Sequence, residues 1–181
     1  EELKAQINDI IEGEIQNGIN DYIEQQGKGF KGQELKVNVS QDEIDILNIY
    51  ADMKHITNLS AFDLKQNNNG DTFYYGDAIT DSLMLKKQKL MEQETGKKLL
   101  ATYSFWRMYT KFAILEKHKD RPSCEISVTV NIGSDVDWPI HVDGKAISLK
   151  PGDAVIYLGQ EVEHWREEFQ GDWCAQVFLH Y

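Results

Sequence analysis

The strongest constraint on the fold is a series of short, strand-forming runs in the second half of the chain. After residue 99 these runs are rich in β-branched and aromatic residues: LLATYSFWRMYTKFAI, EISVTVNI, WPIHV, KAISL, AVIYL and WCAQVFLHY. Turn signals such as GSD, DG and PGD lie among them. Closely spaced strands that follow a helical segment predict an α+β chain dominated by a β-sandwich or barrel.

The first half of the chain is predicted to be mainly helical. Isoleucines and a leucine at spacings of three and four predict an amphipathic helix over 1–26. A glycine-rich loop and a short strand, LKVNV, follow. Ser40 and Glu43 in SQDE match a capping box, which predicts a helix over about 41–53. A further helix is predicted over 78–95, where a glycine fits the C-cap position. KQNNNGD before it is typical of a loop.

Charge and cysteine content limit the partners and the compartment. The 181-residue chain has a formal net charge of −11, which disfavours binding to nucleic acid. No apolar run reaches the length of a membrane span, and the acidic first residues lack the pattern of a signal peptide. Cys124 and Cys174 cannot form a disulfide framework, so a reducing, cytoplasmic location is expected.

Two H-x-D pairs, His118 with Asp120 and His141 with Asp143, are candidate metal ligands. In an extended segment, residues i and i+2 share a face, so an imidazole and a carboxylate can converge. A third ligand would complete the two-histidine, one-carboxylate set that leaves positions open on Fe(II). The dipeptide Asp143–Gly144 signals a tight hairpin, so we interpret Asp143 as a turn residue.

The first pair therefore needs a third ligand from His55, His164 or His180. His164 follows a Pro-Gly turn, an apolar strand and a second turn that contains glycine. The strands predicted between His118 and His164 can return the chain to the opposite side of a sandwich. An H-x-D pair alone is weak evidence, because such pairs are common by chance.

Taken in order, these features resemble the Fe(II)/2-oxoglutarate-dependent oxygenases, in particular the prolyl-4-hydroxylase-like branch. The matching parts are Tyr109 nine residues before His118, then HKD, LKPGDAVIY, the histidine of EHWRE and a closing strand. The resemblance implies a double-stranded β-helix, or jelly-roll, core with N-terminal and flanking helices. It implies Fe(II) held by His118, Asp120 and His164. We expect one domain over 1–181, with a mainly helical part over 1–98 and the jelly roll over 99–181.

The chain departs from the family pattern at the contact with 2-oxoglutarate. Tyr109 matches the tyrosine that helps to bind the far carboxylate of this co-substrate. Many members also have a basic residue about ten positions after the distal histidine, but WCAQVFLHY contains none. Arg166 is the first substitute, because it lies two residues after His164 and a guanidinium suits a carboxylate. Arg107 is the second.

The implied reaction is hydroxylation of a C–H bond with release of succinate and CO₂. The resemblance favours a prolyl or other peptidyl residue, or a free amino acid, and it allows for ascorbate as an accessory. It implies small-molecule or peptide partners, with no membrane and an undetermined oligomeric state. Nucleic-acid dealkylation is a rival within the fold, which the acidic charge disfavours. A cupin-like, non-catalytic jelly roll that binds a metal or ligand is the other alternative, although the H-x-H typical of cupins is missing.

Overall fold

A computed structural model describes residues 32–36, 39–56 and 71–181. The helix predicted over 1–26 and most of the two predicted loops lie outside these residues. The single domain over 1–181 therefore stays a prediction. The elements are, in chain order, β1 (Gly32–Lys36), α1 (Gln41–Ile56), β2 (Thr72–Tyr75), α2 (Ala78–Thr95), β3 (Tyr103–Thr110), β4 (Leu115–His118), β5 (Ile126–Ser134), β6 (Ile140–Val142), β7 (Lys145–Ile147), β8 (Asp153–Leu158), β9 (His164–Arg166) and β10 (Trp173–His180).

Both described helices begin where the sequence predicts, and α2 also ends there. The backbone N–H of Glu43 donates to Ser40 Oγ at 3.2 Å, and the N–H of Ser40 donates to Glu43 Oε2 at 2.9 Å. This reciprocal pair is the capping box, and α1 continues three residues beyond its predicted end. Helix α2 has its predicted bounds and ends at Gly96, whose φ of 67° is the left-handed C-cap conformation.

The strands form two antiparallel sheets. The larger sheet has the order β1-β8-β5-β10-β3-β2, and the smaller has the order β4-β9-β6-β7. One buried cluster contains Tyr109, Ala113, Trp138, Phe169, Cys174 and Phe178. A second contains Ile140, Val142, Leu149, Val155, Tyr157 and Val162. The second cluster joins β6 of the smaller sheet to β8 of the larger one. The two antiparallel sheets and the flanking helices confirm the α+β prediction with a jelly-roll core.

Three strands or runs differ from the sequence prediction. The run LLATYSFWRMYTKFAI is not one strand, because the chain turns after β3 at Phe112, whose φ is 68°. His118 therefore ends a separate strand, β4, in the smaller sheet. Strand β2 has no counterpart in the sequence prediction, and β1 lies three residues earlier than the predicted strand. The predicted hairpin is confirmed: Asp143 and Gly144 have φ values of 49° and 79°, as a type I′ turn requires.

Neither described helix has the length and apolar character that a membrane span requires. Cys124 and Cys174 are both buried and free. The cytoplasmic location stays a prediction.

Candidate metal centre

Antiparallel pairing of β4 with β9 places two histidines opposite each other. His118 is the last residue of β4, and its register partner is His164, the first residue of β9. Asp120 follows β4 in the loop, and the ligand atoms of the three residues all lie within 4.8 Å of one another. The second H-x-D pair makes no such group within the described ranges, and the ring of His141 stacks on Trp165 at 4.8 Å.

Backbone carbonyls orient both imidazoles. The Nδ1 of His118 lies 2.6 Å from the carbonyl oxygen of Glu116, and that of His164 lies 3.2 Å from the carbonyl oxygen of Val162. These contacts assign the proton to Nδ1 and leave Nε2 as the free donor atom. The two Nε2 atoms lie 3.7 and 3.5 Å from Asp120 Oδ1. Two nitrogens and one oxygen therefore face a common point.

The protonation states favour metal binding. Burial, and then the charge of His164, lowers the pKa of His118 and favours its neutral form. Burial alone would raise the pKa of Asp120, but hydrogen bonding and charge from His164, together with the Ser127 hydroxyl, lower it. Ligands must be deprotonated to bind a metal, and both shifts act in that direction.

This donor set fits a first-row divalent metal. Two imidazole nitrogens and one carboxylate oxygen make a facial set that leaves other coordination positions open. A closed structural zinc site would instead supply four protein ligands. The residues present therefore suit Fe(II) in an open site.

Asp120 is surrounded by Ser127 and Gly159, which the sequence analysis did not identify, and by His180, which it considered only as a third ligand. Ser127 donates from Oγ to Asp120 Oδ2 at 2.6 Å, and Ser127 Oγ lies 3.1 Å from His180 Nδ1. The N–H of Asp120 donates to the carbonyl of Gly159 at 2.8 Å. A Cβ at Gly159 would lie 2.5 Å from Asp120 Oδ2, so only glycine permits this approach. No sequence motif marks these residues.

A cavity of about 970 Å³ contains the three candidate ligands in its wall. Aromatic rings from β2, β3 and β10 form one side of it. Tyr75 stacks on Phe105 at 4.4 Å, and Phe105 stacks on Phe178 at 5.3 Å. Tyr103 contacts the ring of His180 at 4.7 Å. The cavity therefore leads along an aromatic wall to the metal-ligand cluster.

Tyr109 and Arg107 also line this cavity. Burial raises the pKa of Tyr109, although the positive charges of Arg107 and Arg166 oppose the shift, so its hydroxyl stays protonated. The guanidinium of Arg107 lies 4.4 Å from the Tyr109 ring, and its Nε donates to Asp71 Oδ2 at 2.9 Å. Arg107 thus has a buried carboxylate as partner.

Arg166 is 2% exposed and is not one of the residues that line the cavity. Its guanidinium donates to the carbonyl of Trp138, and to Gln176 Oε1 at 3.2 Å. The Nε atom has no hydrogen-bond partner within the described part of the chain, where Arg166 also forms no ion pair. Burial lowers the pKa of Arg166, but a guanidinium stays protonated in proteins. The core therefore contains a cation whose described hydrogen-bond acceptors are both neutral.

No family model matches the sequence, and no curated protein matches it. Solved structures resemble the fold. A prolyl-4-hydroxylase from Pseudomonas putida has a TM-score of 0.64 at 14% identity, over 83% of this chain and 92% of that one. An oxidoreductase of the 2OG-Fe(II) oxygenase family from Burkholderia pseudomallei has a TM-score of 0.60 at 13% identity, over 89% of this chain and 88% of that one.

A third similar structure is HygX from Streptomyces hygroscopicus, which contains nickel, 2-oxoglutarate and hygromycin B. It has a TM-score of 0.63 at 8% identity, over 83% of this chain and 82% of that one. At such identities the likeness is one of fold. The chain therefore has the double-stranded β-helix fold of the Fe(II)/2-oxoglutarate oxygenases, among them a prolyl-4-hydroxylase.

Proposed function

We propose that the chain is an Fe(II)/2-oxoglutarate-dependent oxygenase that hydroxylates a C–H bond. The observation that carries this proposal is the convergence of His118, Asp120 and His164 within 4.8 Å in the wall of a large cavity. A purely structural metal site would gain nothing from an open cavity with room for a co-substrate and a substrate. The fold agrees with this function, although it does not by itself imply it.

The protein's own residues bind and orient, while the cofactor supplies the oxidative chemistry. His118, Asp120 and His164 would hold Fe(II), which supplies the means to activate O₂ with 2-oxoglutarate as the reductant. The products would be succinate, CO₂ and a hydroxylated substrate. Hydroxylation is favoured because the carboxylate of Asp120 is present. The tight backbone contacts of both imidazoles keep the donor atoms aimed at one point.

We assign the far carboxylate of 2-oxoglutarate to Tyr109 and Arg166. The Tyr109 ring and the Arg166 guanidinium each lie 4.9 Å from the centre of the Trp138 ring, so the two side chains lie in one region of the core. The buried guanidinium of Arg166 is favourable only if an anion offsets its desolvation. Arg107 is the weaker candidate, since Asp71 already neutralises it. Arg166 does not line the cavity, so a shift of the residues around it is required for contact.

The cavity favours a substrate that has an apolar ring or side chain and an anionic group. Apolar parts would lie on the rings of Tyr75, Phe105 and Phe178. Arg121, in the cavity wall, is held by a hydrogen bond from its Nε to Tyr103 Oη at 3.1 Å and has no ion pair among the described residues. A free amino acid or a peptide segment that contains a carboxylate fits this arrangement.

Anaerobic titration of the protein with Fe(II) and 2-oxoglutarate tests the proposal. We expect a weak visible charge-transfer band, and succinate release once air is admitted. His164→Ala should lose both signals. His141→Ala is the matched control, because it removes a histidine of the same sheet that lies outside the ligand cluster. A wild-type protein without the band, or a His164→Ala protein that retains it, would refute the assignment.

A further inference from the structure

The second oxygen of Asp120 has a partner of its own. Ser127 is fully buried on β5, and its Oγ donates to Asp120 Oδ2 at 2.6 Å. Its register partner on β10 is His180, whose Nδ1 lies 3.1 Å from the same Oγ. Ser127 therefore joins a candidate metal ligand to a buried histidine through one hydroxyl group.

The hydrogen-bond chemistry fixes the direction of this chain. A deprotonated carboxylate only accepts, so the single hydroxyl proton of Ser127 is donated to Asp120. The Ser127 oxygen then accepts a hydrogen bond from Nδ1 of His180, which assigns the proton of that imidazole to Nδ1. A second acceptor, the carbonyl of Cys124, lies farther from the hydroxyl, at 3.5 Å. The short bond to Asp120 is therefore the dominant one.

The two oxygens of Asp120 consequently have different roles. Oδ1 faces both histidine Nε2 atoms, whereas Oδ2 is held by Ser127. The carbonyl of Gly159 fixes the Asp120 backbone, and the absence of a Cβ at Gly159 lets Oδ2 and the Ser127 hydroxyl approach. The carboxylate cannot turn its second oxygen toward the metal position without breaking the 2.6 Å bond.

We propose that Ser127 is a positioning residue that restricts Asp120 to one metal-binding oxygen, and that His180 orients the Ser127 hydroxyl. This inference rests on the proposed function. With one oxygen bound, His118, Asp120 and His164 would leave positions on the metal open to a chelating keto acid. Release of Oδ2 would leave the Asp120 carboxylate free to turn, so Oδ1 would no longer be held toward the metal and Oδ2 could enter a position that the keto acid needs.

Co(II) binding to Ser127→Ala tests the proposal, with the visible spectrum of the bound metal as the readout. We expect the Kd for Co(II) to rise about tenfold or more, since loss of an outer partner of a metal ligand typically costs 10–100-fold. We also expect weaker binding of 2-oxoglutarate to the Co(II)-loaded variant. Ser104→Ala is the matched control, because Ser104 Oγ is likewise buried and donates to a carboxylate, that of Asp81, at 2.6 Å.

The control should lower thermal stability and leave the Kd for Co(II) unchanged. A Ser127→Ala protein whose Kd for Co(II) stays within twofold of wild type would overturn the inference and leave the proposed function intact. A wild-type protein that does not bind Co(II) would overturn both. If Ser127→Ala does not fold, His180→Asn, which keeps a donor near Nδ1, should bind Co(II) as wild type does. His180→Leu should bind it more weakly, and equal affinity in these two variants would overturn the inference.

Discussion

Replacement of Arg166 by methionine should separate stability from co-substrate binding. The side chain is 2% exposed, and removal of an ion from water costs several kcal/mol. Its two hydrogen bonds to neutral oxygens stabilise the folded state by about 1.5–3 kcal/mol each. These contributions nearly cancel, so Arg166→Met should change the free energy of unfolding of the protein without ligands by about 2 kcal/mol or less.

Binding of 2-oxoglutarate should respond very differently. Loss of one partner of a buried charge pair costs about 2–5 kcal/mol, which corresponds to an affinity loss of roughly 30-fold or more. Anaerobic titration of the Fe(II)-loaded variant, followed by its charge-transfer band, measures this loss. Denaturant unfolding of the ligand-free protein measures the stability.

Arg107→Met is the matched comparison, since Arg107 is also buried but has Asp71 as a salt-bridge partner. Its removal leaves that carboxylate buried without its charge partner and should cost about 3–5 kcal/mol of stability. The affinity for 2-oxoglutarate should change only slightly. The opposite pattern, in which Arg107→Met loses 2-oxoglutarate and Arg166→Met keeps it, would refute the reasoning and assign the anchor to Arg107.

Three further predictions concern single positions. Gly159→Ala places a Cβ 2.4 Å from the Cys124 carbonyl, so it should cost about 1–3 kcal/mol of stability and weaken Co(II) binding, as calorimetry can measure. Arg121→Gln should raise the KM of an anionic substrate more than tenfold and leave 2-oxoglutarate affinity unchanged. Burial would raise the pKa of Glu43, but hydrogen bonds from Lys86 and Ser40 help to lower it to about 2 from an ordinary 4.5. Glu43→Gln should therefore cost about 1 kcal/mol at pH 7, and denaturation curves should show this difference vanishing as the pH falls from 4.5 toward 2.

Local chemistry made much of the fold predictable. The capping box at Ser40 and Glu43, the left-handed glycine after α2 and the Asp143–Gly144 turn each depend on a few neighbouring residues. Hydrophobic alternation located most strands of the jelly roll. Strand β2 was missed because its four residues, TFYY, directly follow the loop-like sequence KQNNNGD and are too few to show a periodic pattern.

The candidate site was less predictable, because its parts depend on long-range pairing. The ligand histidines lie 46 positions apart in the sequence and meet only through the β4–β9 register. Ser127 and His180 lie on strands whose pairing the sequence does not specify, and a serine within a strand has no signature of its own. Gly159 is needed for a close approach that only the packed structure reveals.

The position of Arg166 offers a physical reason for the missing basic residue on the last strand. The tenth residue after His164 is Cys174, and the guanidinium of Arg166 reaches this part of β10, where it donates to Gln176 Oε1 at 3.2 Å. Gln176 in turn donates to Cys174 Sγ at 3.1 Å. A cation on β9 can therefore reach the region that a cation on β10 would occupy, and a second one there would add like-charge repulsion in the core. If Arg166 is the anchor, a cation placed on β10 should replace it. Cys174→Arg should restore the affinity for 2-oxoglutarate in the Arg166→Met protein. The same substitution should lower the free energy of unfolding when Arg166 is retained.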